Sequence, residues 1–227
     1  MFKMLANSFL RIFNKEIRAT HAPIQSLAKG LKSLSPLVHP NTVIDIGVAD
    51  GTPELYDAFS GKNFILIEAN PLYRAKVQRI AAQLGASIEM TFCGEKSSTA
   101  QLHLAGQSSS KYPVHESNST VEVSVKTLDS IMVDHQLAGP FVLKIDVEGA
   151  ELEVLKGAVH TLKETTALII ELPLFGIRPR SPLFEETLAF IAGQGFHLYN
   201  ICEGGGIKEN GRLGHADFIF LKETTLP

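Results

Sequence analysis

From residue 41 onward, short apolar runs alternate with longer stretches of helical period. Asn41-Thr-Val-Ile-Asp-Ile-Gly47 predicts a buried strand closed by a glycine turn, and Pro53 to Phe59 predicts a helix with proline in its first turn. Phe64 to Glu68 predicts a second buried strand, and Pro71 to Leu84 a helix stopped by Gly85. Ser87 to Phe92 is expected to form a third strand. Further on, Phe141 to Asp146 and Ala167 to Glu171 predict two more buried strands, separated by one helix over Ala150 to Lys163. Leu183 to Ala192 predicts a helix ending at Gly193, and Phe196 to Ile201 and Ala216 to Leu221 a final strand pair around a Gly204–Gly206 loop. Residues 94–120 differ: they are serine-rich, and both Gln101-Leu-His-Leu104 and Val121-Glu-Val-Ser-Val125 alternate with period two. Such alternation suits half-exposed antiparallel strands, so this stretch is expected to be a β-hairpin insertion. Strands interleaved with helices imply right-handed crossovers and a mostly parallel sheet covered on both faces. The expected fold is one doubly wound α/β domain.

The first 20 residues stand apart. Phe2, Leu5, Phe9, Ile12 and Phe13 recur at helical spacing, while Lys3, Arg11, Lys15 and Arg18 face Glu16 alone. The apolar positions are too interrupted for a membrane span or a signal peptide. An amphipathic helix packed on the domain or on a second copy of the chain is expected, with peripheral contact to an anionic membrane as the alternative. The chain is therefore divided into a helical extension (1–40) and a main domain (41–227). Composition adds exclusions. Across 227 residues, 21 Lys and Arg nearly balance 24 Asp and Glu, which argues against a nucleic-acid partner. Cys93 and Cys202 form neither a disulfide framework nor a metal motif, which fits a cytoplasmic location.

In doubly wound sheets, ligands bind beyond the carboxyl ends of the strands. Glu68, Asp146 and Glu171 occupy such ends, and Asp45 opens the sequence Asp-Ile-Gly47-Val-Ala-Asp-Gly51. Its glycines let backbone approach a ligand closely, although an ordinary strand–helix turn also satisfies the pattern. It is not the phosphate-binding G-x-G-x-x-G, and a leading acid disfavours phosphate. Glu68, at the end of the following strand, can accept both hydroxyls of a ribose. A ligand with a ribose and an amino-acid cation but no phosphate suggests S-adenosyl-L-methionine.

Val142-Leu-Lys-Ile-Asp-Val-Glu-Gly-Ala-Glu-Leu-Glu-Val-Leu-Lys-Gly157 resembles the signature of the FkbM family of S-adenosylmethionine-dependent methyltransferases. Thr127-Leu-Asp-Ser-Ile131, Ile67-Glu-Ala-Asn-Pro71, Ile169-Ile-Glu-Leu172 and the closing Ala216-Asp-Phe-Ile-Phe220 extend the resemblance, in order, over residues 41–222. It implies a class I, Rossmann-like methyltransferase fold with an antiparallel final strand, and O-methylation of sugars or related polyhydroxylated metabolites. It also implies that Asp45, Gly47, Val48 and Gly51 form the cofactor loop and that Glu68 with Ala69 holds the ribose. Cys93 is then near the adenine and Asp146 near the methionine part. The chain departs from many relatives in having Val48-Ala49 after the first loop glycine, and Ala69 where proline is common.

For the chemistry, Asp146 and Glu171 are expected to form an acidic cluster on the acceptor side. It would act either as a base toward a hydroxyl or as a seat for Mg²⁺ that lowers the hydroxyl pKa. His215 is a further candidate base, although a lone loop histidine is more often solvated. Glu148 and Glu151 are read as favouring a helix N-terminus. Arg178 and Arg180, flanking Pro179, are read either as a lid contacting polar or anionic acceptor groups or, equally, as an exposed basic loop. An NAD-dependent sugar enzyme and a non-catalytic nucleoside sensor are the competing readings.

Overall fold

A computed structural model describes residues 24–106, 109–112, 119–175, 181–206 and 211–225. In chain order the elements are α1 (Leu27–Leu34), β1 (Thr42–Ile46), α2 (Pro53–Ala58), β2 (Asn63–Ile67), a short 3-10 turn (Pro71–Tyr73), α3 (Arg74–Leu84), β3 (Ser87–Glu89), β4 (Phe92–Cys93), β5 (Ser98–His103) and β6 (Thr120–Lys126). They continue with α4 (Leu128–Asp134), β7 (Phe141–Ile145), α5 (Glu151–Lys156), α6 (Val159–Lys163), β8 (Thr165–Pro173), α7 (Phe184–Gly193), β9 (Phe196–Gly205) and β10 (His215–Lys222).

Seven strands form the main sheet in the order β3-β2-β1-β7-β8-β10-β9. The first five run parallel, and β10 lies antiparallel between β8 and β9. Every residue of β1 and β7 is buried, as expected of central strands covered on both faces. Leu128, Ile131, Leu155 and Ile191 from α4, α5 and α7 pack on one face. Leu31, Leu34 and Leu55 from α1 and α2 pack on the other, with Val77 and Ala81 of α3 in an adjoining cluster. Leu31 and Leu34 are fully buried, and each such side chain contributes about 1.5–3 kcal/mol of hydrophobic stabilisation. The helix α1 is thus part of the core, and Gly30 lies so close to Cys202 and Ile219 that no side chain would fit there. The expected helix over residues 1–20 lies outside the described residues. Among the described residues no helix is long and apolar enough to cross a membrane.

The insertion is the expected antiparallel hairpin, β5 pairing with β6 from Ser98↔Val125 to His103↔Thr120. Its strand β4 corrects one expectation. Ser87 to Phe92 is not one strand, because β3 ends at Glu89 and Phe92–Cys93 turn away to pair with β6. The Thr91 hydroxyl at the turn donates to the Ser124 carbonyl, and the Phe92 side chain enters the hairpin's own small core.

A second correction concerns Ala150 to Lys163, which forms α5 and α6 rather than one helix. The break is imposed from outside. The Asp129 carboxylate accepts from the backbone N–H groups of His160 and Thr161 and from the Thr161 hydroxyl, capping α6, while the Asp129 N–H donates to the Gly157 carbonyl. Gly157 itself passes so close to the backbone of Gly94 that a Cβ would lie 2.1 Å from its carbonyl oxygen. Finally, Gly204 and Gly205 belong to β9 and not to the loop beyond it.

Candidate active site

The strand order reverses between β1 and β7, and the carboxyl ends of β1, β2, β7 and β8 open there into a cleft of about 400 Å³. This is within the size range of small-molecule sites, at the place where open α/β sheets bind ligands.

One wall is the loop after β1. Gly47 has φ +82°, and a Cβ there would lie 1.7 Å from the Asp146 carbonyl oxygen, so only glycine fits between β1 and the end of β7. Two residues on, Ala49 holds a left-handed φ of +41° that points its N–H at Glu68 Oε2, 2.8 Å away. Glu68 Oε1 accepts from the Asn70 N–H at 2.7 Å. Burial raises the Glu68 carboxyl above the usual range, against the pull of these N–H groups. Each carboxylate oxygen keeps a second lone pair for an incoming hydroxyl. Val48, Gly51 and Ala69 line the same wall. Cys93 also lines the cleft, on β4 instead of at the end of β3, and burial raises its thiol far above the thiolate range.

Asp45 is placed differently from the expectation of direct ligand contact. Its side chain is wholly buried below the cleft, and Oδ2 accepts from the Tyr56 hydroxyl at 2.7 Å. Oδ1 makes no hydrogen bond and lies 3.5 Å from Lys144 Nζ. Residue 45 lies further back along β1 than residues 46 and 47, which reach the cleft at the strand's carboxyl end. Burial raises the Asp45 carboxyl, opposed by Lys144 and Tyr56. Burial alone would lower the Lys144 ammonium, but Asp45 and Asp146 outweigh it and hold it above the ordinary lysine range. Lys144 is the charge on which this buried group turns, and its Nζ also donates to Asp146 Oδ2 at 3.2 Å.

The opposite wall brings together Asp146, Glu171 and His215. His215 opens β10 rather than sitting on a free loop, and its Nδ1 lies 2.9 Å from Glu171 Oε1. Glu171 is pushed up to about 8, chiefly by burial and then by the Asp146, Asp217 and Glu148 carboxylates, with Lys144 opposing. Glu148, which also lines the cleft, stands in a turn with φ +59° at Glu148 and +104° at Gly149. Glu151 fastens this turn by accepting from the Gly149 N–H at 2.8 Å, and its buried carboxyl is raised to about 7, with burial the main cause. Among the described residues no three His, Cys, Asp or Glu side chains are arranged to hold a metal ion. Arg178 and Arg180 lie outside the described residues.

Sequence reasoning missed Tyr56, Asn70, Thr91 and Ser109. Tyr56 carries Asp45, while the other three line the cleft together with Glu68. Asn70 had one legible signal, an Asn-Pro pair directly after a strand-end acid, which marks a capped turn.

The profile of the methyltransferase FkbM domain matches residues 45–198, more than half of the chain. The chain belongs to the FkbM methyltransferase family. This membership overturns the NAD-dependent reading. A methyltransferase FkbM from Methylobacillus flagellatus superposes with a TM-score of 0.57 at 16% identity, covering 87% of this chain and 48% of that one. The fibrillarin of Aeropyrum pernix, whose structure holds natively bound S-adenosyl-L-methionine, superposes at 0.50 and 11% identity over 90% of this chain and 84% of that one. These likenesses establish the class I methyltransferase fold. A curated relative, the hexuronic acid methyltransferase AglP of Haloferax volcanii, is 34% identical over 68 residues, 29% of this chain and 28% of that protein. The FkbM protein thus spans about half of its structural relative and under a third of the curated one.

Proposed function

We propose that this FkbM protein transfers a methyl group from S-adenosyl-L-methionine to a hydroxyl of a sugar or related polyhydroxylated metabolite. The observation that carries the reading is the Glu171–His215 pair, facing the Glu68 wall across one cleft. The residues suit the cofactor: Glu68 has lone pairs for two vicinal hydroxyls, and the Gly47 cradle admits backbone contact without a side chain. When bound, S-adenosyl-L-methionine supplies an electrophilic methyl group, which leaves the protein to align the acceptor and remove its proton.

Glu68 would hold the ribose of the cofactor by accepting from its hydroxyls. Asp146, steadied by Lys144, shares the wall of Glu171 and His215 and would orient polar groups that reach it. Glu171 in its ionised form accepts the acceptor's hydroxyl proton as the oxygen attacks. Its raised proton affinity makes it a stronger base than a surface carboxylate. His215, whose Nδ1 lies 2.9 Å from Glu171 Oε1, orients the carboxylate and leaves its other oxygen to receive the proton. The likeness to a hexuronic acid methyltransferase, short as it is, supports a carbohydrate acceptor.

The test is transfer of isotope-labelled methyl from S-adenosyl-L-methionine to a panel of uronic acids, neutral sugars and polyols. We expect labelling of a hydroxyl in wild type and about a 10²-fold or greater loss in Glu171→Gln, the usual scale for a lost general base. Cofactor binding with no labelling of any polyol would favour the sensor reading.

A further inference from the structure

The segment Ser109–Tyr112, at the end of the hairpin insertion, touches both halves of the cleft. On the nucleoside side, Asn70 Nδ2 donates to Ser109 Oγ at 3.1 Å. That hydroxyl also accepts from the Ala105 N–H at 2.9 Å and donates to the Gly106 carbonyl at 2.6 Å, so its hydrogen-bonding capacity is full. Gly106, Ser109 and Leu102 line the cleft together with Glu68 and Asn70.

On the acceptor side, Ser110 Oγ donates to the Glu148 carbonyl at 2.6 Å. The Lys111 ammonium bonds both oxygens of Glu153, which also accepts from the Tyr112 hydroxyl. Ser110 is tied back to the hairpin by paired backbone bonds with His103. Beneath this segment, Leu102, Val121 and Val125 of the hairpin share one apolar cluster with Ala69 from the ribose loop and Val147 and Ala150 from the acceptor loop.

We propose that Ser109–Tyr112 is a strap across the cleft, which closes the nucleoside subsite through Asn70–Ser109 and transmits its occupancy to the acceptor turn through Ser110–Glu148. The inference rests on the cofactor reading above and goes beyond it. A nucleoside seated on Glu68 lies against Ser109 and Gly106, so the strap must lift for entry and release. Once seated, the nucleoside holds the strap down. The strap in turn holds the Glu148–Gly149 turn, whose left-handed backbone needs support from its surroundings. Cofactor and acceptor sites are therefore coupled, and the coupling is reciprocal. A seated cofactor favours the acceptor, and a seated acceptor favours the cofactor, through the same turn.

The experiment uses the full chain and S-adenosylhomocysteine as probe, with calorimetric Kd, stopped-flow release rate and amide hydrogen exchange as readouts. Ser109→Ala is expected to weaken S-adenosylhomocysteine binding by about 3- to 10-fold, mostly through faster release, as for loss of a hydrogen-bonded hydroxyl. In wild type, the probe should protect amides in both 45–51 and 147–153. Ser110→Ala should keep protection over 45–51 and lose it over 147–153. Thr99→Ala, on the exposed outer face of the same hairpin, serves as control and should leave Kd unchanged. Unaltered binding and release in Ser109→Ala, retained 147–153 protection in Ser110→Ala, or equal weakening in Thr99→Ala overturns the strap. Wild-type protein that does not bind the probe brings down the cofactor reading and the strap together, which separates that failure from failure of the strap alone.

Discussion

Replacing Lys144 with methionine removes the cation from a wholly buried group. Methionine nearly matches the aliphatic stem, so packing changes little, whereas Asp45 keeps only the Tyr56 hydroxyl. Stripping one partner from a buried ion pair typically costs about 3–5 kcal/mol. An independent route gives a similar figure. If Asp45 takes a proton instead of standing unpaired, holding it neutral at about pH 7.5 against an unfolded value near 3.9 costs about 5 kcal/mol. The sign then follows. The folded variant binds one more proton than the unfolded chain above about pH 4, so its stability falls by about 1.4 kcal/mol per pH unit as pH rises. Urea denaturation should thus show a deficit of about 3–5 kcal/mol at about pH 7.5, shrinking to about 1–2 kcal/mol at about pH 5. Adding Asp45→Asn to Lys144→Met should remove most of the pH dependence. A deficit below about 1 kcal/mol, or one that stays constant with pH, would refute the assignment of Lys144 as the charge that holds Asp45.

Glu171 carries the expected pH dependence of turnover: its carboxyl is raised to about 8, so the rate should climb as pH rises through that value and the base form fills. In Glu171→Gln the residual rate should lose that limb. Glu68→Gln should weaken S-adenosylhomocysteine binding by about 10-fold or more in calorimetry, because an ionised acceptor is replaced by a neutral amide. Asp129→Ala should lower stability by about 1–2 kcal/mol in urea melts, the scale of a lost helix cap, with cofactor affinity unchanged.

The parts of the fold legible in the sequence are those whose burial is uniform. The strands β1, β2, β7 and β8 read as short apolar runs, interrupted by Asp45 in β1 and Lys144 in β7, because helices cover both faces. Asp146 and Glu171 follow from counting to the residues that end those runs, although β8 itself continues to Pro173. The family signature fixed their order. Illegible were the features that need two distant elements at once. The α5–α6 break depends on Asp129 and Gly94, from separate parts of the chain, and local helical period carries no trace of either. The turn of Phe92 into a second sheet depends on β6, more than 30 residues later. Asp45 stood out as an acid beside glycines, but its burial comes from its place in a central strand covered on both faces, and its partners Tyr56 and Lys144 lie on different elements. His215 drew notice only as a loop residue, because its contact with Glu171 arises from the antiparallel register of β10 on β8.

That register has a bearing on how the molecule is made. The strand β10 is synthesised after β8 and β9, yet it is inserted between them in the sheet. Among the described residues, β10 is the strand that pairs with β9 in the sheet, and it carries the imidazole that meets Glu171, so both wait for residues 215–222. Pairings of this kind across already formed elements are slow steps, and they leave unpaired edges exposed while they wait. A nascent chain that has already made Glu171 therefore waits for the β10 segment before that carboxylate gains the imidazole beside it.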